Sequence, residues 1–271
     1  MPRCADPGCG RWRPALLPRW AGGLRLNERW YCSRACVEAA VRRGLSTPAP
    51  TQESATGLPP LRLGALLRHR QAITAAQLDE ALRAQRQSGL RLGAQLREMG
   101  CVPADVVIQA LAAQAGVSYL TTVDLARVRR APGGLPENTV RALGLVPFEL
   151  DEAGQRLHVI CTAPVPRAAL RALARLTPWT PEPYLVDDAL WARALAAYRL
   201  ADAHRASRTV AGVQAASALV AAAARMRGPV SVRHADCPDC VWVRVESPAH
   251  VEDLMVVHEE DEACLAAPIA L

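Results

Sequence analysis

The sequence contains no lysine; all 32 of its basic residues are arginine. A phosphate-binding P-loop needs a lysine to reach the terminal phosphates, so ordinary P-loop NTPase chemistry is excluded. Schiff-base and lysine general-base mechanisms are excluded with it. The sequence also lacks G-x-S-x-G, H-E-x-x-H, a Gly-rich phosphate loop and a convincing carboxylate pair. A non-enzymatic role is therefore expected. No apolar run is long enough to cross a bilayer. The most apolar stretch, Val210 to Ala224, is interrupted by Gln214 and Ser217. The first residues, MPRCADPGCGRWRP, carry no signal-peptide h-region. A cytoplasmic protein is the expectation, and in a reducing compartment nine cysteines point to metal sites or buried thiols.

Charge is unevenly placed along the 271 residues. Residues 1–47 hold nine Arg against three acids, whereas residues 201–271 hold six Arg against ten acids. The basic balance thus belongs to the N-terminal segment. Composition divides the chain into a Cys-, Trp- and Arg-rich segment (1–45), a Pro/Ser/Thr linker (46–60), a region of helical and strand patterns (61–200) and a C-terminal region (201–271). The C-terminal pattern predicts a helix over Arg208–Arg227 and strands near Val230–Arg233, Val241–Glu246 and Leu254–His258. The expected fold class is α+β: a small Cys4 module, a helical tandem-repeat subdomain packed with a small α/β subdomain, and a C-terminal helix with short antiparallel strands.

An internal repeat is the most informative pattern. Arg62–Gln85 recurs as Arg91–Gln114 without a gap, and 11 of 24 aligned positions are identical. Chance similarity between Ala/Leu-rich helices would not keep Arg, Gly and Gln in step. Each copy reads as a helix pair. Thr74 with Gln77 forms a capping-box pattern, Gly89 suits a helix C-terminus, Pro103 suits a first helical position and Gly116 ends the second pair. Leu78, Leu82 and Gln85 share one helical stripe, as do Val107, Leu111 and Gln114. Each Gln is either the solvent end of its stripe or part of a site.

Cys4 and Cys9 form one short-spaced pair and Cys32 and Cys36 another. Two such pairs are the usual way to present four thiolates to tetrahedral Zn²⁺. The second pair reads as a strand ending in Cys32 and a helix beginning near Cys36. A 45-residue segment so poor in aliphatic side chains needs a metal staple to fold. With nine Arg, its Trp12, Trp20, Trp30 and Tyr31 read either as a nucleic-acid surface or as a solvated face around a small core. Cys237 and Cys240 flank Pro-Asp, which suits a hairpin turn as well as half a metal site completed by His234, His258 or Cys264. Cys101 and Cys161 read as core thiols.

Two motifs of the form R-L-G-x-x-[LVI]…L-x-x-x-L-x-x-Q, joined by the spacer Arg86–Leu90, resemble the MshEN domain. This is the N-terminal domain of bacterial type II secretion and type IV pilus assembly ATPases. The stretch from Leu135 to Leu200 is similar to that domain's α/β part, a strand pair and helix followed by a last strand and closing helix. The resemblance implies cyclic di-GMP as ligand, with two equivalent half-sites for a pseudo-twofold molecule. Arg62 and Arg91 would stack on or fork onto guanine. Gly64 and Gly93 would admit the ligand close to the backbone. Leu63, Leu67, Leu78, Leu82, Leu92, Leu96, Val107 and Leu111 would wall the bases, and Gln85 and Gln114 would donate amide hydrogen bonds. Three positions depart from the family, one of them on the second helix, where Val107 stands in place of Leu. The tenth, usually Gly, is Gln71 in copy one and Gly100 in copy two, which predicts an altered first turn. The seventh, usually aliphatic, is Arg68 and Arg97.

The resemblance implies a cyclic di-GMP-responsive adaptor without the motor. Its alternatives are a zinc-finger nucleic-acid-binding protein and a nucleotide-independent scaffold on a secretion or pilus assembly protein. The C-terminal region faintly resembles the start of the domain that follows in secretion ATPases.

Overall fold

The computed structural model describes residues 3–12, 23–46, 62–130, 132–199 and 205–257. Strands β1 (Leu24–Leu26) and β2 (Arg29–Tyr31) pair antiparallel. Asn27 and Glu28 turn between them at φ +48° and +64°, the left-handed pair that suits a two-residue hairpin. Helix α1 (Arg34–Ser46) follows, so Cys32 lies just past a strand and Cys36 in a helix's first turn. Of the expected linker only Ser46 is described, as the last residue of α1.

The repeat forms two helix pairs: α2 (Leu63–His69) with α3 (Ala75–Ser88), and α4 (Leu92–Glu98) with α5 (Ala104–Ala115). The capping box at Thr74 and Gln77 forms in both directions, at 3.2 and 2.8 Å. Gly89 and Gly116 end their helices in the left-handed region, where glycine has no Cβ to clash. Pro103 stands one position earlier than expected, as the residue capping α5. The altered turn expected at Gln71 does not occur. Gln71 takes φ +58° where Gly100 takes +68°. Both turns close with the same bonds: Gln71 N–H to Arg68 O and Gly100 N–H to Arg97 O, each 2.9 Å. Copy one therefore carries a strain of about 1 kcal/mol in an unchanged backbone.

Next come β3 (Ser118–Tyr119), α6 (Leu125–Arg129), α7 (Glu137–Leu143), β4 (Val146–Asp151), β5 (Arg156–Cys161), α8 (Arg167–Leu176), β6 (Thr180–Leu185) and α9 (Asp188–Ala197). Their sheet runs β3-β6-β5-β4, with β5 and β6 parallel. Beyond it lie β7 (Arg205–Ala211), α10 (Gly212–Met226), β8 (Ser231–Asp236), β9 (Val241–Ser247) and β10 (His250–Val257), forming a sheet β7-β10-β9-β8. Here the structure corrects the helix expected from Arg208. Residues Arg208–Ala211 belong to β7, which pairs parallel with β10, so the sheet is mixed rather than antiparallel. The polar run RASRTVA is held extended by a partner 46 residues downstream, which local periodicity cannot show.

Three apolar clusters organise these elements. The first belongs to the repeat and contains Leu67, Ile73, Ala81, Leu96, Val102, Val107 and Ala110. The second joins Leu157, Leu173, Leu176 and Tyr198 to Trp242 and Met255, so the α/β part and the C-terminal sheet share one core. The third joins Val37 and Val41 of α1 to Val220, Ala221 and Ala224 of α10 and to Val243 and Leu254. The alanines let α1 and α10 approach closely. Each fully buried aliphatic side chain contributes about 1.5–3 kcal/mol. Polar groups fix the junctions. Arg244 makes a paired salt bridge to Asp253 at 2.8 and 2.9 Å and donates to the Leu176 carbonyl at 3.1 Å. Thr139 donates to Asp253 at 3.2 Å. The Asn27 amide brackets Val232, accepting from its N–H at 2.6 Å and donating to its carbonyl at 3.1 Å.

Candidate functional site

A groove of about 700 Å³ opens between the second repeat copy and the α/β part. One wall comes from the repeat: Leu63 from copy one, and Arg91, Leu92, Gly93, Arg97, Val107, Leu111 and Gln114 from copy two. Leu63, Arg91, Leu92, Gly93, Val107, Leu111 and Gln114 are among the residues the tandem motif singles out. The other wall follows the C-terminal ends of β5 and β6: Ala163, Pro164, Val165 and Arg167, then Leu185, Val186, Asp187 and Asp188. Parallel strands commonly present ligand sites beyond their carboxyl ends. This wall lies outside the tandem motif, in the loops that follow β5 and β6.

Arg62 and Arg91 occupy equivalent places, each capping a helix with extended backbone at φ −61° and −66°. Both side chains are exposed. Arg91 spans the groove and donates to the Ala163 carbonyl at 2.7 Å. Arg167 ties the opposite wall back to the repeat by donating to the Ala115 carbonyl. Asp187 accepts from the Leu190 N–H at 2.6 Å and so starts α9.

Other motif residues stand elsewhere. Leu67 and Leu96 do not wall the groove; both are fully buried in the repeat core. Leu82 is exposed on α3, and Gln85 is half-buried in its last turn. Arg62, Gly64 and Leu78 lie outside the groove lining. The glycines have a packing duty. A Cβ on Gly64 would stand 2.7 Å from Leu78 Cδ1, and one on Gly93 would stand 2.8 Å from Val107 Cγ1. Each glycine therefore lets the short helix of its copy settle on the long one, and Gly93 faces the groove as well.

The second candidate centre is the cluster of Cys4, Cys9, Cys32 and Cys36, whose sulfurs all lie within 4.8 Å of one another. Cys9 and Cys32 Sγ are 3.3 Å apart, and Cys32 and Cys36 Sγ 3.6 Å. Four thiolates at 2.3 Å from one zinc ion would stand about 3.8 Å apart, so the donor set fits with small adjustments. The surroundings favour a thiolate at one corner: a hydrogen bond from the Arg11 backbone, then one from Cys32, lowers Cys9 to about 7. Burial pushes Cys36 up to about 12, a penalty that a bound cation would offset. The Cys4 N–H bonds the Arg11 carbonyl and the Ala5 N–H the Trp30 carbonyl, which locks the first pair against the hairpin.

Cys237 and Cys240 close a turn through a 2.8 Å bond from the Cys237 N–H to the Cys240 carbonyl. Their mutual hydrogen bond lowers the Cys240 thiol and raises that of Cys237. Among the described residues no third donor gathers with them; His258 and Cys264 lie outside these. Cys161 is fully buried, and desolvation pushes its thiol up to about 12. Cys101 is half-buried. Among the described residues no helix is long and apolar enough to cross a membrane.

No family model matches the sequence, and no curated relative does. Solved structures do. The chain is similar to MshE in its structure with cyclic di-GMP, at 27% identity over 51% of this chain and 99% of that one, with a TM-score of 0.42. It is similar to the N-terminal domain of XpsE in two crystal forms, at 17% and 20% identity. These cover 51% and 55% of this chain and 93% and 99% of the other, with TM-scores of 0.34 and 0.28.

Proposed function

We propose that this chain is a non-catalytic cyclic di-GMP-binding sensor or adaptor. The observation that carries the reading is the equivalence of the two repeat copies. Arg62 and Arg91 cap their helices with the same backbone angles, and each copy's leucine lies against the other's glycine. Such a pair of half-sites suits a cyclic dinucleotide, whose two guanines and two phosphates are themselves nearly twofold. The groove supplies apolar surface from Leu92, Val107 and Leu111 for a flat base, with Arg91 at its edge. Zn²⁺ at Cys4, Cys9, Cys32 and Cys36 plays a structural part, supplying folding free energy to residues 3–46 when bound. The cytoplasm is the compartment proposed, and a secretion or pilus assembly protein the partner receiving the signal.

Titration calorimetry of the full chain with cyclic di-GMP tests the ligand. Binding should be tight enough to resolve, and Arg62→Ala and Arg91→Ala should each weaken it at least tenfold. No heat at high micromolar ligand rejects the reading, while full binding by both variants rejects only the placement of the site.

A second reading rests on Trp12, which is 61% exposed and has the Arg3 guanidinium 5.6 Å from its ring centre. An exposed ring and a nearby cation can stack on nucleic-acid bases. In that case binding to single-stranded DNA falls steeply with salt and vanishes in Trp12→Ala.

A further inference from the structure

We propose that Arg97 and Arg167, which line the two walls of one groove, form an anion subsite that holds a phosphate of the bound nucleotide. The subsite rests on the functional reading above for the identity of its ligand, though its anionic chemistry stands independently.

Three guanidinium groups, of Arg91, Arg97 and Arg167, line this one groove. Among the described residues none of the three forms an ion pair. Arg91 and Arg167 are satisfied by neutral carbonyls, and the Arg97 side chain makes no hydrogen bond. Each guanidinium carries five N–H donors, so one carbonyl leaves Arg91 and Arg167 with donors to spare. Two carboxylates, Asp187 and Asp188, share the lining, and Asp187 is already engaged by the Leu190 N–H. The groove therefore holds one more cation than anions. All three side chains are exposed, and an entering phosphodiester would accept charge-assisted hydrogen bonds from their remaining N–H donors.

The subsite is also asymmetric. Arg68 holds the same position in copy one as Arg97 in copy two, but Arg68 does not line the groove. Of the two arginines at this position, only that of copy two shares the groove with Arg167. The two half-sites are thus equivalent in their caps and unequal in charge, which would fix one phosphate of a symmetric ligand more firmly than the other.

Arg97→Leu and Arg167→Gln test the subsite in the full chain. Arg97 is exposed and bonds nothing through its side chain, so leucine there leaves the fold intact. Gln at 167 removes the charge and keeps a polar amide. Calorimetry at low salt measures cyclic di-GMP and, separately, inorganic pyrophosphate, with circular dichroism confirming unchanged folding. Each variant should bind cyclic di-GMP about tenfold or more weakly, with a shallower salt dependence. Variants matching the wild type for both probes overturn the subsite and leave the functional reading standing. Pyrophosphate binding that needs both arginines, without cyclic di-GMP binding, supports the subsite and rejects that reading. A wild-type chain that binds neither probe overturns both.

Discussion

Leu92 of the second repeat copy lies against Gly64 of the first, and Leu63 lies against Gly93 in return. A Cβ on Gly64 would stand 3.4 Å from Leu92 Cδ2, and one on Gly93 would stand 3.5 Å from Leu63 Cδ2. The duplicated sequence has become a reciprocal contact, and the two capping arginines leave it with nearly the same backbone angles.

Both glycines should resist substitution, unequally. Gly64→Ala presses on Leu78 Cδ1, the end of a side chain that can turn away. Gly93→Ala presses on Val107 Cγ1, held by a β-branched side chain with few rotamers. Overpacking of this kind costs about 1–3 kcal/mol. Urea unfolding should place Gly93→Ala near the top of that range and Gly64→Ala near the bottom. Equal midpoints for the two variants and the wild type would count against the packing duty.

Gln71→Gly should stabilise the protein. The residue sits at φ +58° and is exposed, so the change relieves a strained backbone without removing buried surface. Greater freedom of glycine in the unfolded chain takes back part of the gain, leaving about 0.5 kcal/mol. A higher urea midpoint at constant slope is the expected result.

Asp253→Asn should be far more damaging than its size suggests. It leaves Arg244, itself buried, without a counter-charge and weakens the Thr139 contact that ties α7 to the C-terminal sheet. Removing one partner of a buried pair costs about 3–5 kcal/mol. The double variant Arg244→Met with Asp253→Leu should recover much of that loss in thermal unfolding.

Metal removal should act locally. Full-length protein purified with zinc should carry one equivalent by atomic absorption, and Cys32→Ser should lose it. Protease cleavage should then appear within residues 3–46 before it appears in the repeat. Metal-free wild type that resists cleavage equally well would contradict a structural zinc.

Acid should weaken the C-terminal sheet through His234. Burial, and then the Arg175 charge, depress its pKa below the unfolded value of 6.5. The unfolded chain therefore takes up the proton first, and stability is full above pH 6.5 and falls as pH drops below it. His234→Gln should flatten the loss between pH 6.5 and 5 in denaturant titrations.

Local chemistry was legible in the sequence wherever it was short in range. The capping box at Thr74 and the helix-ending Gly89 and Gly116 need only a few neighbouring residues, as does the paired spacing of the four cysteines. Half of the motif residues line the groove and half do not. Two of the latter share one cause. Leu67 and Leu96 share a helical period with the groove residues, and periodicity distinguishes an apolar face from a polar one but not a core from a cleft. Strand β7 and the wall after β5 and β6 depend on partners distant along the chain. The turn at Gln71 shows the converse: the bonds around it imposed a left-handed conformation on a residue that disfavours it.

The bracket that Asn27 places on Val232 joins positions 205 residues apart. A ribosome therefore completes residues 3–46 long before it makes the strand and helix on which they rest. During that interval the segment has its cysteines but no seat, and α1 shows Val37 and Val41 to solvent. The module is made before the strand that seats it, so a truncation that removes β8 should leave it without that seat.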